Sequence, residues 1–262
     1  MTTALRQAIQ NLVVANRILA HENVVDGFGH ITMRHPERPD RYLMARSRSP
    51  QLVCAEDILE FRLDDEPVEQ DGRALYSERA IHGAVYRARS DVQSVCHNHS
   101  QTVIPFGIAG VELRPVLHSA SVIGERVPIW DIREEFGDTD LLVTTHEKGD
   151  SLARALGARR ALLMRGHGAV IAGAGLRDAV FTAVYLQVNA HLILQARVLG
   201  ESQYLSAGEV ECACRTHLSP LSQNRAWEYW SSRAGFPAPA AEAGGGRQLL
   251  VRAQASIQET EI

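Results

Sequence analysis

The run Asp91-Val92-Gln93-Ser94-Val95-Cys96-His97-Asn98-His99-Ser100 constrains the chain more than any other stretch. Val92, Val95 and Cys96 read as a short buried strand. Residues two apart on a strand project to the same face, so His97 and His99 hold their imidazoles side by side. That spacing suits two ligands of one metal ion. It equally suits two partly buried histidines satisfied by backbone carbonyls. The rest of the chain has to supply further ligands.

Upstream, Thr2 or Thr3 caps a first helix running to about His21, with Leu5, Ile9, Leu12, Val13 and Leu19 as its apolar stripe. Gly27 and Gly29 mark a tight backbone approach before a strand through His30-Ile31-Thr32-Met33-Arg34, which a polar turn folds into a hairpin with Arg41-Tyr42-Leu43-Met44-Ala45. In Arg46-Ser47-Arg48-Ser49-Pro50, two arginines and two serines can cradle an anion, although a solvated loop is the commoner fate of such a run. A short helical turn at 55–58 leads to a strand over 59–63. Ser77 suits the N-cap of a helix with Ile81, Ala84, Val85 and Ala88 facing inward. Glu78 then takes the first helical position, beside the positive end of the dipole, and this segment alone asks no chemistry of it. His82, one turn on, reads as a helix-surface residue.

Downstream, 102–107 is a short helix or turn, and 127–130 and 141–143 are short strands. A helix over 150–156 ends at Gly157, and 161–164 is a buried strand. Arg165-Gly166-His167-Gly168 turns the chain into 169–173. A histidine between two glycines can be aimed, because glycine permits positive φ and close approach. The segment 176–199 is a long helix carrying Tyr185, which packs inward, and His191. Two more helices follow over 206–218 and 220–233. Cys212 and Cys214, two apart on a helix, do not face each other and make no metal pair. The stretch from Pro237 to about Arg247 is rich in alanine, glycine and proline, a flexible link to a mobile tail.

Composition removes several classes. A length of 262 residues with 45% hydrophobic content gives a substantial core, and a net charge of −4 gives no reason to expect nucleic acid. No stretch reads as a membrane span and no signal peptide opens the chain. Four cysteines make no disulfide framework, so a cytoplasmic location is expected. The single lysine, Lys148, lies in a polar stretch that does not favour a Schiff base. The 11 histidines are the surplus that matters.

A glutamate, a His-x-His pair and a Gly-His-Gly turn give three imidazoles and a carboxylate, which leaves an open position on a divalent ion. Their order and spacing resemble the class II aldolase/adducin family from the first helix to about Gly200. Ser77-Glu78 with His82 and Tyr86 looks like that family's Ser-Glu-xxx-His-xxx-Tyr helix. The 91–100 run looks like its ligand-pair strand, and Leu163-Met164-Arg165-Gly166-His167-Gly168 like its third-ligand turn. The resemblance implies an α/β fold, a three-layer α/β/α arrangement with a largely antiparallel central sheet. Residues 1–235 would form one catalytic domain and 236–262 a flexible tail. It also implies a homotetramer with active sites near subunit contacts, and His97, His99 and His167 as ligands of Zn, Mn, Fe or Co.

Two departures separate the chain from the family's sugar-phosphate aldolases. Gly29-His30 stands where they have Gly-Asn, and the Arg-Ser-Arg-Ser-Pro loop replaces a Thr-Gly-type phosphate loop. With Pro115-Val116-Leu117-His118, these look more like the family's decarboxylase branch, which acts on hydroxylated aromatic or pyridine dicarboxylates and related ring-cleavage acids in aromatic-compound catabolism. The expected reaction is loss of CO2 to give an enolate stabilised by the metal. Arg48, with Ser47 and Ser49, would hold a substrate carboxylate. Glu78, His30 and His118 are the candidates for proton transfer, and His118 reads equally well as a structural histidine. Two alternatives stand: an aldolase or epimerase on a non-phosphorylated hydroxy acid, and a non-catalytic adducin-like interaction protein. The expected partner is a small carboxylate substrate, with no nucleic acid and no membrane.

Overall fold

The computed structural model describes residues 1–236; the 237–247 link and the tail beyond it lie outside the described residues. Helix α1 (Thr3–His21) starts where the Thr2 hydroxyl accepts from the Leu5 amide. The hairpin follows as β1 (His30–Arg34) and β2 (Arg41–Ala45), with Met33 opposite Leu43. Next come β3 (Ile58–Arg62), α2 (Arg79–Ala88) and β4 (Ser94–Asn98). Short helices α3 (Ile104–Ile108) and α4 (Arg133–Phe136) flank a 3-10 segment (His118–Ile123) and β5 (Ile129–Trp130). The chain continues through α5 (His146–Leu156), β6 (Ala161–Met164), β7 (Gly168–Gly173), α6 (Leu176–Leu199), α7 (Ala207–His217) and α8 (Pro220–Arg233).

Among the described residues seven strands form one sheet in the order β3-β2-β1-β4-β7-β6-β5, with β5–β6 the one parallel pair. Alternation along the central strands feeds two cores. Cys96 and Ile171 join α1, α6 and α8 on one face, while Val95, Val170 and Ala172 join α2 and α5 on the other. The expected three-layer architecture is therefore present. Register sets the site: on β4, His97 lies opposite His30 of β1 on one side and Val170 of β7 on the other.

Four expectations need correction. Residues 141–143 form no strand. Leu141 has a φ of +65°, and the segment's backbone groups serve side chains of the site instead of a ladder. Helix α5 begins at His146 rather than Asp150, because the Thr145 hydroxyl caps the Lys148 amide. On α2, Ala88 is exposed and His82 is fully buried, so the inward face turns further than the apolar residues alone indicated. Helix α6 is long and apolar enough, by length and composition, to cross a bilayer. Its buried residues from Leu176 to Ile193 are spent on the core, beside the buried polar groups Asp178 and Asn189.

Candidate metal centre

Three backbone exits deliver the ligand groups to one point. His97 sits near the end of β4, and His99 follows just beyond the strand, with their Nε2 atoms 2.9 Å apart. The β6–β7 turn brings His167 Nε2 to 3.0 Å from His99 Nε2. This close approach needs Gly168, where a Cβ would fall 2.0 Å from the Asn98 carbonyl oxygen. Glu78 Oε2 lies 3.5 Å from His97 Nε2 and 3.4 Å from His167 Nε2. One potential ligand atom from each of these four residues lies within 4.8 Å of the others.

Glu78 is not the first helical residue but the N-cap of α2, and its side chain makes no capping hydrogen bond. The carboxylate instead accepts from the Val143 amide through Oε1 at 2.9 Å. Glu78 stays at the positive end of the α2 dipole, but its hydrogen bond goes to another segment and not to its own helix. Burial alone would raise its pKa, but hydrogen bonds and charge from His167 and His97 outweigh that and hold the group well below the usual carboxylate range.

Hydrogen-bond bookkeeping tests whether these residues fit a cation. His97 Nδ1 faces the Ala169 carbonyl at 3.1 Å, and His167 Nδ1 faces the Leu141 carbonyl at 3.0 Å. Carbonyls only accept, so both Nδ1 atoms carry protons, and each ring turns its Nε2 toward the others and toward Glu78. His99, whose pKa is lowered to about 4 by burial first and then by the charges of His97 and His167, adds a third ring nitrogen. Three imidazole nitrogens and a carboxylate aimed at one point can share a cation between them. The donor set fits a divalent metal, with the two carbonyls orienting its ligands.

His30 lies beside this cluster, its ring centroid 5.2 Å from that of His97 and 4.6 Å from that of Tyr76. It follows Gly29, which has a φ of +90° and where a Cβ would meet Val25 Cγ1 at 2.7 Å. The Tyr76 hydroxyl donates to the Arg48 carbonyl, which ties the Arg-Ser loop to the wall around His30. Burial pushes the Tyr76 phenol up to about 12, so it stays a donor.

The loop itself is partly committed. Arg46 Nε and Arg48 Nη1 pair with the two oxygens of Asp57 at 2.6 and 2.8 Å. Two guanidiniums share one carboxylate, leaving one positive charge in excess. Ser47 is exposed and Ser49 half-buried at the start of a 3-10 turn. The sequence reading missed Asp57, and its only signal was an acid in the short turn before β3.

The fold places His118 elsewhere. Its Nδ1 lies 2.7 Å from His217 Nε2, in a pocket with Phe181, Tyr185, Arg225 and Trp230. Tyr185 packs against Phe181 and Trp230, as its helix position suggested. His82 was also misread: it is fully buried and bonded to His30. The available signal was its spacing, four residues after Glu78 and four before Tyr86, which puts all three on one helical face.

Residues 10–194 match the family model described as the class II aldolase and adducin N-terminal domain. Decarboxylase tropJ of Talaromyces stipitatus is 31% identical over 244 residues, covering 85% of this chain and 92% of that protein. A 3,4-dihydroxyphthalate decarboxylase of Arthrobacter keyseri is 29% identical over 208 residues, covering 74% of this chain and 80% of that protein. Among solved structures, an aldolase II superfamily protein from Pseudomonas syringae has a TM-score of 0.74 at 18% identity, covering 91% of this chain and 97% of that one, a likeness of fold.

Proposed function

The chain belongs to the class II aldolase and adducin N-terminal domain family, and from that membership we propose that it is a divalent-metal-dependent decarboxylase. The proposed substrate is a hydroxylated aromatic dicarboxylate of the dihydroxyphthalate kind, a pyridine dicarboxylate or a related ring-cleavage acid. One observation carries the reading: ligand atoms of Glu78, His97, His99 and His167 converge within 4.8 Å of one another. The decarboxylase names of two relatives that cover most of this chain support loss of CO2 over aldol cleavage.

A Zn, Mn, Fe or Co ion held there supplies Lewis-acid stabilisation of the charge left on the substrate when its carbon–carbon bond breaks. The chain's residues do the rest. His97 and His167 keep fixed ring orientations through their carbonyl-bound Nδ1 protons. Arg48, with Ser47 and Ser49, offers the excess positive charge of its loop to a substrate carboxylate. The bond to the departing carboxylate breaks with its electron pair left on carbon, CO2 leaves, and a proton returns to that carbon. Glu78, His30 and His118 are the proposed acid–base groups. Glu78 touches the ligand rings, and His30 lies beside them. His118 takes part only in an assembly that carries it to another copy's cluster, as the proposed homotetramer would. Residues 1–235 constitute the proposed catalytic domain.

The test is CO2 release from a panel of dihydroxyphthalates and hydroxypyridine dicarboxylates, with each metal restored in turn. CO2 from one member supports the reading. An aldehyde released from a hydroxy acid instead moves the assignment to an aldolase. Metal-loaded protein inert toward both groups overturns the catalytic account.

A further inference from the structure

The loop between α1 and β1 carries a phenylalanine to the edge of the metal centre and leaves it in solvent. Phe28 is 69% exposed, and its ring centroid lies 6.4 Å from that of His99, with the two planes 33° apart. It has no part in the mechanism above. A single exposed apolar side chain is ordinary in itself. Two features single this one out: it stands beside a ligand, and the loop that presents it is held on both sides.

Before the loop, Val24 and Val25 are buried in the core. After it, His30 lies opposite His97 in the sheet. Between these anchors the Asp26 carboxylate accepts from the Phe28 amide at 2.8 Å. Gly29 passes so close to β4 that a Cβ there would meet the His97 carbonyl oxygen at 3.1 Å. The backbone around Phe28 therefore rests on the strand that carries His97. The ring is placed by its neighbours in the chain, not by packing of its own, and one face of the site is apolar as a result.

We infer that Phe28 recognises the ring of the substrate and makes the site selective for a planar aromatic dicarboxylate over a saturated one. Aromatic rings attract one another, offset or edge to face, at centroid separations of about 4.5–7 Å, and this adds to the area they bury. A ring that enters beside His99 to bring its oxygens to the cluster comes within that range of Phe28. Arg48 and the cluster respond to charge and to oxygen atoms, which a saturated dicarboxylate offers equally. A saturated ring has no π face and is puckered, so it gains less from Phe28. Phe28 is thus a specificity-determining residue, and its contribution belongs to binding of the ring.

This inference rests on the proposed decarboxylase reading for its substrate class but is measured by binding, without turnover. The probes are phthalate and cis-cyclohexane-1,2-dicarboxylate, which carry their carboxylates on adjacent ring carbons and differ in aromaticity. Calorimetric titration of the zinc-loaded wild type should show tighter binding of phthalate. Phe28→Leu keeps an apolar side chain and removes the π face. It should weaken phthalate about three- to tenfold, the worth of one aromatic pair, and leave the saturated probe unchanged. Phe28→Tyr should keep the wild-type preference. Zinc content and sedimentation equilibrium of Phe28→Leu should match the wild type. A wild type without preference, or a Phe28→Leu variant that binds phthalate normally or loses both probes equally, overturns the inference. So does a change of assembly state in Phe28→Leu, which would make the ring a subunit contact. The expected selectivity without CO2 release from any hydroxylated dicarboxylate would count against the decarboxylase reading alone. CO2 release with no effect of Phe28→Leu on phthalate would count against this inference alone.

Discussion

Glu78 does more than its place at the start of α2 requires. A carboxylate there gains from the helix dipole wherever its side chain points, yet this one takes the Val143 amide and faces two imidazoles. Glu78→Gln keeps the shape and removes the charge. It should lower turnover by about 100-fold or more, while the three histidines still bind metal less tightly. Steady-state kinetics alongside metal analysis checks this, and near-normal turnover would return Glu78 to a helix-end role. His97 and His99 were legible because two-residue spacing on a strand settles their side without tertiary information. His82 was not, because its partners on β1 are 50 and 52 residues away and only the packing of α2 on the sheet brings them together.

At the scale of elements, the turn before β7 is set by backbone proximity. Gly168→Ala drives a Cβ into the Asn98 carbonyl. It should cost about 1–3 kcal/mol, as overpacking does, and displace His167, so that urea midpoint and metal content fall together. A variant that keeps both would remove the argument for Gly168. The Arg-Ser loop makes a pH prediction. Burial raises the Asp57 pKa, but hydrogen bonds from Cys54 and Arg46 and the charge of Arg48 outweigh it and leave the carboxyl well below its ordinary range. A depressed folded-state pKa contributes stability that is present above the unfolded value and lost as pH falls. Thermal melts of the wild type should therefore lose stability as pH drops below ~4, and Asp57→Asn should flatten that part of the profile. An unchanged acid limb would contradict the pairing. The loop was legible as a cluster of arginines. Its internal neutralisation was not, since only tertiary structure shows Asp57 turned toward both. Residues 141–143 were misread for a related reason: an apolar triplet looks like a strand, but these amides and carbonyls bond to Glu78 and His167.

For the whole molecule, the layers were expected from the family resemblance, and the two cores follow from neighbours such as Val95 and Cys96 entering opposite faces of the sheet. Strand order was not legible from periodicity, because the β4–β7 pairing joins residues 71 to 79 apart in the chain; the family resemblance implied only layers and a largely antiparallel sheet. The last turn of α6 leaves Val198 and Leu199 86% and 91% exposed, an apolar end consistent with the proposed assembly. Sedimentation equilibrium should find a tetramer, and a strictly monomeric protein would remove His118 from the proposed reaction. The central claim is that one divalent ion sits among His97, His99 and His167. Its most direct test is elemental analysis of the purified protein beside His167→Ala, with folding of both verified by circular dichroism. The account predicts about one metal per chain in the wild type and almost none in the variant. A folded wild type that takes up no metal under any loading, or a variant that retains a full equivalent, would contradict it.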